Sequence, residues 1–188
     1  MAQMLLVMGA FAMLSTLALS INGMMTGSMQ LGIEMEATMN AVSIGQSLID
    51  EIMAKDFDEH STHNDQMYAT SEATPAGSFG IDGAGESCSG AGGVGYDTTY
   101  ASLTKFDDVD DYHHYIRWVR DSRLGWFVDS VTVEYVDETT PTTASGSQTF
   151  FKTITVSVTN DNMPKQLNNL ARVQPYYVRD ISIYRRYF

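Results

Sequence analysis

The sequence contains little positive charge. Its 188 residues include 11 Lys and Arg against 23 Asp and Glu, which gives a formal net charge of −12 at pH 7. From Met1 to Thr104 the only Lys or Arg is Lys55. A surface this acidic repels the phosphates of nucleic acids and of anionic lipids, so the composition argues against a DNA- or RNA-binding role.

Catalytic signatures are also missing. Cys88 is the single cysteine, which excludes an internal disulfide, a Cys-rich zinc site and a c-type haem attachment motif. No Lys or Arg lies near Cys88 in sequence to lower the pKa of its thiol. The sequence has no G-x-S-x-G elbow, no H-E-x-x-H helix and no phosphate-binding glycine loop. We therefore predict that the protein is not an enzyme and needs no organic cofactor.

The N-terminal segment has no charged side chain from Met1 to Ile33, and the stretch from Met4 to Leu19 is almost wholly apolar. Ten of the 12 methionines lie within the first 53 residues, where an unbranched, adaptable side chain suits packing between many similar helices. As a helix, this segment is long enough to cross a bilayer core of about 30 Å.

The hydrophobic pattern changes after Gly32 but remains helical. Apolar residues recur at spacings of three and four, at positions Ala37, Ala41, Ile44, Leu48 and Ile52, with polar residues between them. The pattern predicts one assembly helix over residues 1–55, roughly 80 Å long, that is first apolar and then amphipathic. Gly23 and Gly27 form a G-x-x-x-G pattern that marks either a close helix contact or a local unwinding.

Three roles fit such a helix: a cleaved secretory signal, a permanent membrane anchor, or a helix that leaves the membrane to enter a filament. No basic residue precedes Met4, whereas signal peptides carry a basic n-region and anchors usually carry flanking Lys or Arg. The third role is favoured, with the expectation that a basic leader has been removed to leave Met1 as the mature N-terminus.

The remaining residues, 56–188, are predicted to form one β-rich head. Gly, Ser and Thr dominate a segment at about residues 69–100, which is typical of a long surface loop. Alternating apolar and polar residues beyond it predict strands. These strands cover Tyr115 to Val119, Trp126 to Val128, Val131 to Tyr135, Ile154 to Val158 and Tyr177 to Arg185. The first two form a hairpin, and the simplest assembly is a four-stranded, mostly antiparallel sheet on the C-terminal half of the helix, an α+β fold.

This combination of a long uncharged helix, a polar continuation and a β-rich head resembles the type IV pilins and the pseudopilins of type II secretion. The segment Ser43 to Glu59 is similar to the end of that helix in many pilin-like proteins. The resemblance implies a structural subunit of an extracellular filament that contacts copies of itself and sits in the inner membrane before assembly. Most of the family has a glutamate near the mature N-terminus, whereas this chain has Leu5. A secretion pseudopilin and a membrane-anchored binding or enzymatic domain remain the alternatives.

One acidic cluster is a candidate metal site. Four carboxylates lie within five positions, at Asp107, Asp108, Asp110 and Asp111. Calcium takes about six to eight oxygen ligands, so a loop with several carboxylates is a candidate calcium site. The resemblance adds that some pseudopilin heads contain such a site. The spacing lacks the glycine and closing glutamate of an EF-hand, and a solvated acidic turn is the alternative.

The head contains two further groups of candidate functional residues. His113 and His114 adjoin the acidic cluster, but neighbouring residues of a strand point to opposite faces, which argues against one shared metal. The C-terminal segment Tyr184 to Phe188 joins two arginines to aromatic residues, a composition enriched at protein interfaces.

Overall fold

The computed structural model describes residues 2–83, 85–160 and 176–184. The chain divides into two compact units, Met1–Met39 and Asn40–Phe188. The predicted interface tail lies, beyond Tyr184, outside the described residues.

The first element, α1, is a single α-helix over Ala2–Met53. No proline interrupts it, and it remains helical through the stretch between Gly23 and Gly27, so the alternative of a local unwinding does not hold here. A Cβ atom added at either glycine would meet nothing within 4 Å. The predicted long helix is confirmed.

The part of α1 that belongs to the second unit packs its apolar stripe into the head. Ala41, Leu48, Ile49 and Ile52 are completely buried. Gly45 lies on the same stripe and brings the helix close to the sheet, because a Cβ atom there would lie 2.8 Å from Cγ2 of Val178. The absence of a side chain at this position therefore sets how closely the helix and the sheet approach.

The sheet is antiparallel and has five strands. They are β1 (Ile116–Asp121), β2 (Gly125–Asp137), β3 (Thr140–Ala144), β4 (Phe151–Asn160) and β5 (Tyr176–Ile183). The order is β1-β2-β4-β5, with the short β3 paired to the end of β2. Inward-facing residues alternate along β2 and β4, and this side of the sheet forms the core with the helix.

The α+β class and the antiparallel sheet are confirmed, but two strand boundaries differ from the prediction. Trp126 to Val128 and Val131 to Tyr135 belong to one strand, β2, because the intervening Asp129 is buried and ion-paired with Arg117 and so does not end the strand. The polar connection after β2 also contains a strand, β3, which gives five strands in place of four.

The Gly-rich segment is tied more closely to the head than a surface loop would be. Gly90 and Asp97 exchange backbone hydrogen bonds with Ile116 and Trp118 of β1. Gly90 has φ +94, and a Cβ atom there would lie 2.2 Å from the carbonyl oxygen of Ile116. Only glycine fits this close approach of two backbones. The small residues of this segment thus allow close contact with the sheet, in addition to forming turns.

Candidate functional site

The acidic residues of the head are gathered by a short backbone pairing. The amide N–H of Asp56, just after α1, donates to the carbonyl of Asp107 at 3.1 Å, and the N–H of Val109 donates to the carbonyl of Asp56 at 3.0 Å. This pairing fixes the segment that carries the predicted aspartates beside the end of the helix. The same segment continues into a 3-10 turn over Asp110–Tyr112.

The four predicted aspartates do not face one site. Asp107 and Asp111 lie together with Glu86 of the Gly-rich segment, and ligand oxygens of these three residues are within 4.8 Å of one another. Asp110 instead points to the buried amine of Lys152. The prediction of one site formed by all four is therefore wrong in its grouping, because residues of a tight turn point in different directions.

Glu86 links this group to a second cluster of carboxylates. Its ligand oxygens also lie within 4.8 Å of those of Glu59 and Asp82. The backbone N–H groups of Asp82 and Gly83 donate to Oε2 of Glu86, the first at 3.2 Å. Glu86 is buried, Glu59 is half-buried and Asp82 is exposed, so the combined carboxylate cluster opens to solvent on the side of Asp82.

The carboxylates of this cluster influence one another's pKa. Burial and the negative charge of Glu86 raise the pKa of Asp111 to about 7, and the same two causes raise the pKa of Asp82. Asp111 is 1% exposed, and its Oδ1 atom receives no hydrogen bond from the described residues. A hard cation would supply the missing partner and restore the ionised form of Asp111.

A second site surrounds the amine of Lys152. This lysine is on β4 and is completely buried. Its Nζ atom donates to Oδ1 of Asp110 at 2.6 Å, to Oδ2 of Asp58 at 2.9 Å and to the carbonyl of Phe57 at 2.7 Å. Three aromatic rings lie around Nζ, with centroids at 4.6 Å for Phe57, 5.0 Å for Phe79 and 5.5 Å for Tyr135. We refer to this arrangement as the lysine site.

The pKa of Asp58 at the lysine site is set by two opposing effects. Burial alone would raise the pKa of Asp58, but the ammonium of Lys152 and the hydrogen bonds from Thr74 outweigh it, so this pKa is lowered. The backbone and hydroxyl of Thr74 donate to Asp58 at 3.0–3.1 Å. Asp58 therefore carries a negative charge at neutral pH.

Asp110 shares its environment with Asp108. Burial raises the pKa of Asp110, and burial together with the charge of Asp110 raises the pKa of Asp108 to about 10. The Oδ2 atoms of both residues are buried and receive no N–H or O–H donor from the other described residues. Both carboxyl groups therefore have a raised pKa, because they lie close to each other and away from water.

A third buried charge network lies between α1 and the strands β1 and β2. Arg117 donates to Oε2 of Glu51 at 2.8 Å, and its Nε atom lies 3.5 Å from Oδ2 of Asp129. Glu51 also receives hydrogen bonds from the hydroxyls of Ser102 at 2.6 Å and Tyr112 at 2.9 Å. This network fixes the helix to the sheet.

The other candidate residues of the sequence, His113, His114 and Cys88, do not form a charged cluster of this kind. His113 and His114 lie in a turn, with their ring centroids 3.9 Å apart, so the expectation that they point to opposite faces is wrong. Burial lowers the pKa of His113, and its Nδ1 accepts from the N–H of Val133. Burial and the charge of Asp97 raise the pKa of Cys88 to about 11, which leaves its thiol protonated at neutral pH.

The sequence pattern of the strands indicates that Lys152 and Asp129 are buried, although the candidate site predicted from the sequence did not include them. Lys152 has the same strand parity as the inward-facing Ile154 and Val156, and Asp129 has the same parity as Phe127 and Val131. A charged residue in phase with a buried apolar face predicts a buried ion pair. Glu86 gave no comparable signal, because it lies in an irregular segment without periodicity.

Two observations bear on the identity of the chain. Among the described residues, Leu6–Met53 is long and apolar enough to cross a membrane, which is compatible with a membrane anchor or a signal sequence. Comparison with family models, curated proteins and solved structures finds no match to this chain.

Proposed function

We propose that the protein is a structural subunit of an extracellular, type IV pilus-like filament, and that copies of the chain assemble through their N-terminal helices. The observation that carries this proposal is the exposed apolar surface of α1. Met4, Leu14 and Leu17 are 77%, 64% and 59% exposed, and no charged side chain occurs from Met1 to Ile33. An apolar surface of this extent needs a partner in water.

The distribution of that surface favours several copies of the chain as the partner. Leu6, Val7 and Met8 are all exposed, and consecutive helical residues point about 100° apart. The helix is thus apolar around its circumference, which suits the interior of a bundle or a membrane. A helical homopolymer surrounds each subunit with copies of the same helix, and the inner membrane surrounds it before assembly.

Assembly in this proposal depends on packing. The chain has Leu5 where most pilin-like proteins have a glutamate nearby, so no carboxylate there pairs with the terminal amine of a neighbour. The apolar replacement avoids the cost of burying a charge. The many methionines of α1 adapt their shape to neighbouring helices and supply contact area in its place.

Negative-stain microscopy of material sheared from cells that produce the chain tests this role. Long filaments that contain the chain are expected. Short assemblies together with a secretion defect would indicate a pseudopilin. A chain that stays monomeric in the membrane would indicate an anchored binding or enzymatic domain.

We also propose that the head binds a calcium ion between Glu86, Asp107 and Asp111. The buried Oδ1 atom of Asp111 supports this assignment, since it receives no hydrogen bond from the described residues. The neighbouring Glu59 and Asp82 provide further carboxylate oxygens at the solvent side of the same cluster. Oxygen donors alone are what a hard cation such as calcium prefers.

A further inference from the structure

We propose that Lys152 and Asp110 form an intramolecular amide bond within the folded head. The two reacting groups are already in contact, because Nζ of Lys152 lies 2.6 Å from Oδ1 of Asp110. The carbon to be attacked, Cγ of Asp110, is one covalent bond beyond that oxygen. Fixed contact of this kind converts a slow encounter between an amine and a carboxyl group into a unimolecular step.

The surroundings of the lysine site favour a neutral product. Lys152, Asp58 and Asp110 are each at most 1% exposed, and aromatic rings pack around Nζ. Isolating charges from water is costly, so replacing an ammonium and a carboxylate by an uncharged amide removes part of this cost. Burial of all three residues also keeps bulk water away from the product, which disfavours its hydrolysis.

A second carboxylate is in contact with the reacting amine. Oδ2 of Asp58 lies 2.9 Å from Nζ of Lys152, a hydrogen-bond distance at which it is placed to accept a proton from the ammonium as the new bond forms.

The atoms balance without an oxidant or any other reactant. The amine nitrogen of Lys152 bonds to Cγ of Asp110, and one C–O bond of that carboxyl group breaks. The ammonium of Lys152 gives up two protons by way of Asp58, and the departing oxygen takes up both and leaves as water, so Asp58 returns to its starting state. An ammonium and a carboxylate thus become a secondary amide and one water molecule.

Asp110 is the assigned partner in preference to Asp58. Asp58 receives hydrogen bonds from the backbone N–H and the hydroxyl of Thr74 as well as from Lys152, and these hold its carboxylate in place. The oxygen of Asp110 is the nearer to Nζ, at 2.6 Å against 2.9 Å for Asp58. The bond would join the central strand β4 to the turn Asp110–Tyr112, across 42 positions of sequence. Such a link restricts the unfolded chain and so stabilises the head.

Peptide mapping of the full chain after denaturation and trypsin digestion tests the proposal. The expected product is peptide 106–117 joined to peptide 124–165, lighter than their sum by one water, with no cleavage after Lys152. Recovery of the separate peptides 106–117 and 124–152 in full yield would overturn the proposal. Loss of water from peptide 106–117 alone, with normal cleavage after Lys152, would show cyclisation of an aspartate and would overturn it equally.

Two variants test the assignment of the partners. Asp110→Asn should lose ammonia in place of water and give a linked product of the same mass as that of the unchanged chain. Lys152→Arg keeps the positive charge and should give only unlinked peptides. A linked product that joins Lys152 to the tryptic peptide containing Asp58 would contradict the choice of Asp110. The unchanged chain alone decides whether a link exists, so the test does not depend on either variant folding.

Discussion

Gly45 of the long helix faces Val178 of β5 so closely that a Cβ atom at position 45 would lie 2.8 Å from Cγ2 of Val178. The same atom would lie 3.1 Å from Cγ2 of Val158. Both neighbours are β-branched, and their side chains have few alternative rotamers. The helix and the sheet are therefore in contact through a position that has no room for a methyl group.

Gly45→Ala should destabilise the head. Overpacking a well-packed core costs about 1–3 kcal/mol, which opposes the gain of ~1 kcal/mol that alanine has over glycine in a helix. We expect a lower melting temperature by circular dichroism of the full chain in detergent. Gly32→Ala is the matched control, because a Cβ atom at that helical position meets nothing within 4 Å. A melting temperature of the Gly45 variant equal to or higher than that of the unchanged chain would show that Val158 and Val178 move enough to make room for the added methyl group.

Arg117→Met should be much more harmful, because it leaves the carboxylates of Glu51 and Asp129 buried without their cation. The cost of breaking a buried ion pair from one side is about 3–5 kcal/mol. Arg120→Met on the same strand is the control, since Arg120 is exposed and contacts only the ring of Trp126 among the interactions described. Chemical denaturation of both variants measures the difference. Similar free energies of unfolding would contradict the role given to the Arg117 network.

Calcium should raise the melting temperature of the head, and a chelator should lower it, because an ion that binds only the folded state stabilises it by mass action. Asp111→Asn should abolish this shift. Asp65→Asn, which changes an exposed carboxylate outside the carboxylate cluster, should leave it intact. Differential scanning calorimetry with and without calcium provides the measurement. A calcium shift that survives Asp111→Asn would place the ion elsewhere, and no shift in the unchanged chain would refute the calcium proposal.

The stability of the chelator-treated protein should fall as the pH rises. The folded pKa of Asp111 is raised to about 7 from an ordinary value of 3.8, so its protonated form stabilises the fold. This contribution is complete below the unfolded pKa and is lost as the pH rises through about 7. Burial also raises the pKa of Asp129 to about 6, which adds to the same trend at lower pH.

Melting temperatures between pH 4.5 and 8 test this trend. With chelator, we expect a decline across that range that is smaller in Asp111→Asn. With saturating calcium, the decline should also be smaller, because the bound ion holds Asp111 in its ionised form. A rise in stability from pH 4.5 to 8 in the chelated protein would show that carboxylates with lowered pKa values, such as Asp58, dominate instead.

The sequence predicted the elements that repeat a local pattern. The helix through Met53 and the strands around Val133 and Val156 follow from the spacing of apolar residues, which depends only on neighbours along the chain. The grouping of the carboxylates did not follow, because it depends on the pairing of Asp56 with the segment at Asp107 and Val109. Contacts of this type join segments that are distant in sequence, and the spacing of apolar residues along the chain does not predict them.

The residues that surround Lys152 were also only partly predictable from the sequence. The parity of Lys152 on β4 indicates that it faces inward, but its partners come from the turn at Asp110 and from Asp58 beyond the end of α1. Reading strand parity for charged residues as well as apolar ones would have found the buried lysine. It would not have found which carboxylates meet it.

We propose that α1 assembles copies of the chain into a filament, and one substitution tests this claim most directly. Leu17→Asp places a charge on the apolar helix within the first unit, Met1–Met39, and leaves the sequence of the head unchanged. Burying an unpaired carboxylate between helices is strongly unfavourable. Leu17→Met is the matched control, because it keeps the position apolar. Negative-stain microscopy should show filaments for the unchanged chain and for Leu17→Met and none for Leu17→Asp, with the head still folded by circular dichroism. Normal filaments from Leu17→Asp, or none from the unchanged chain, would contradict the claim.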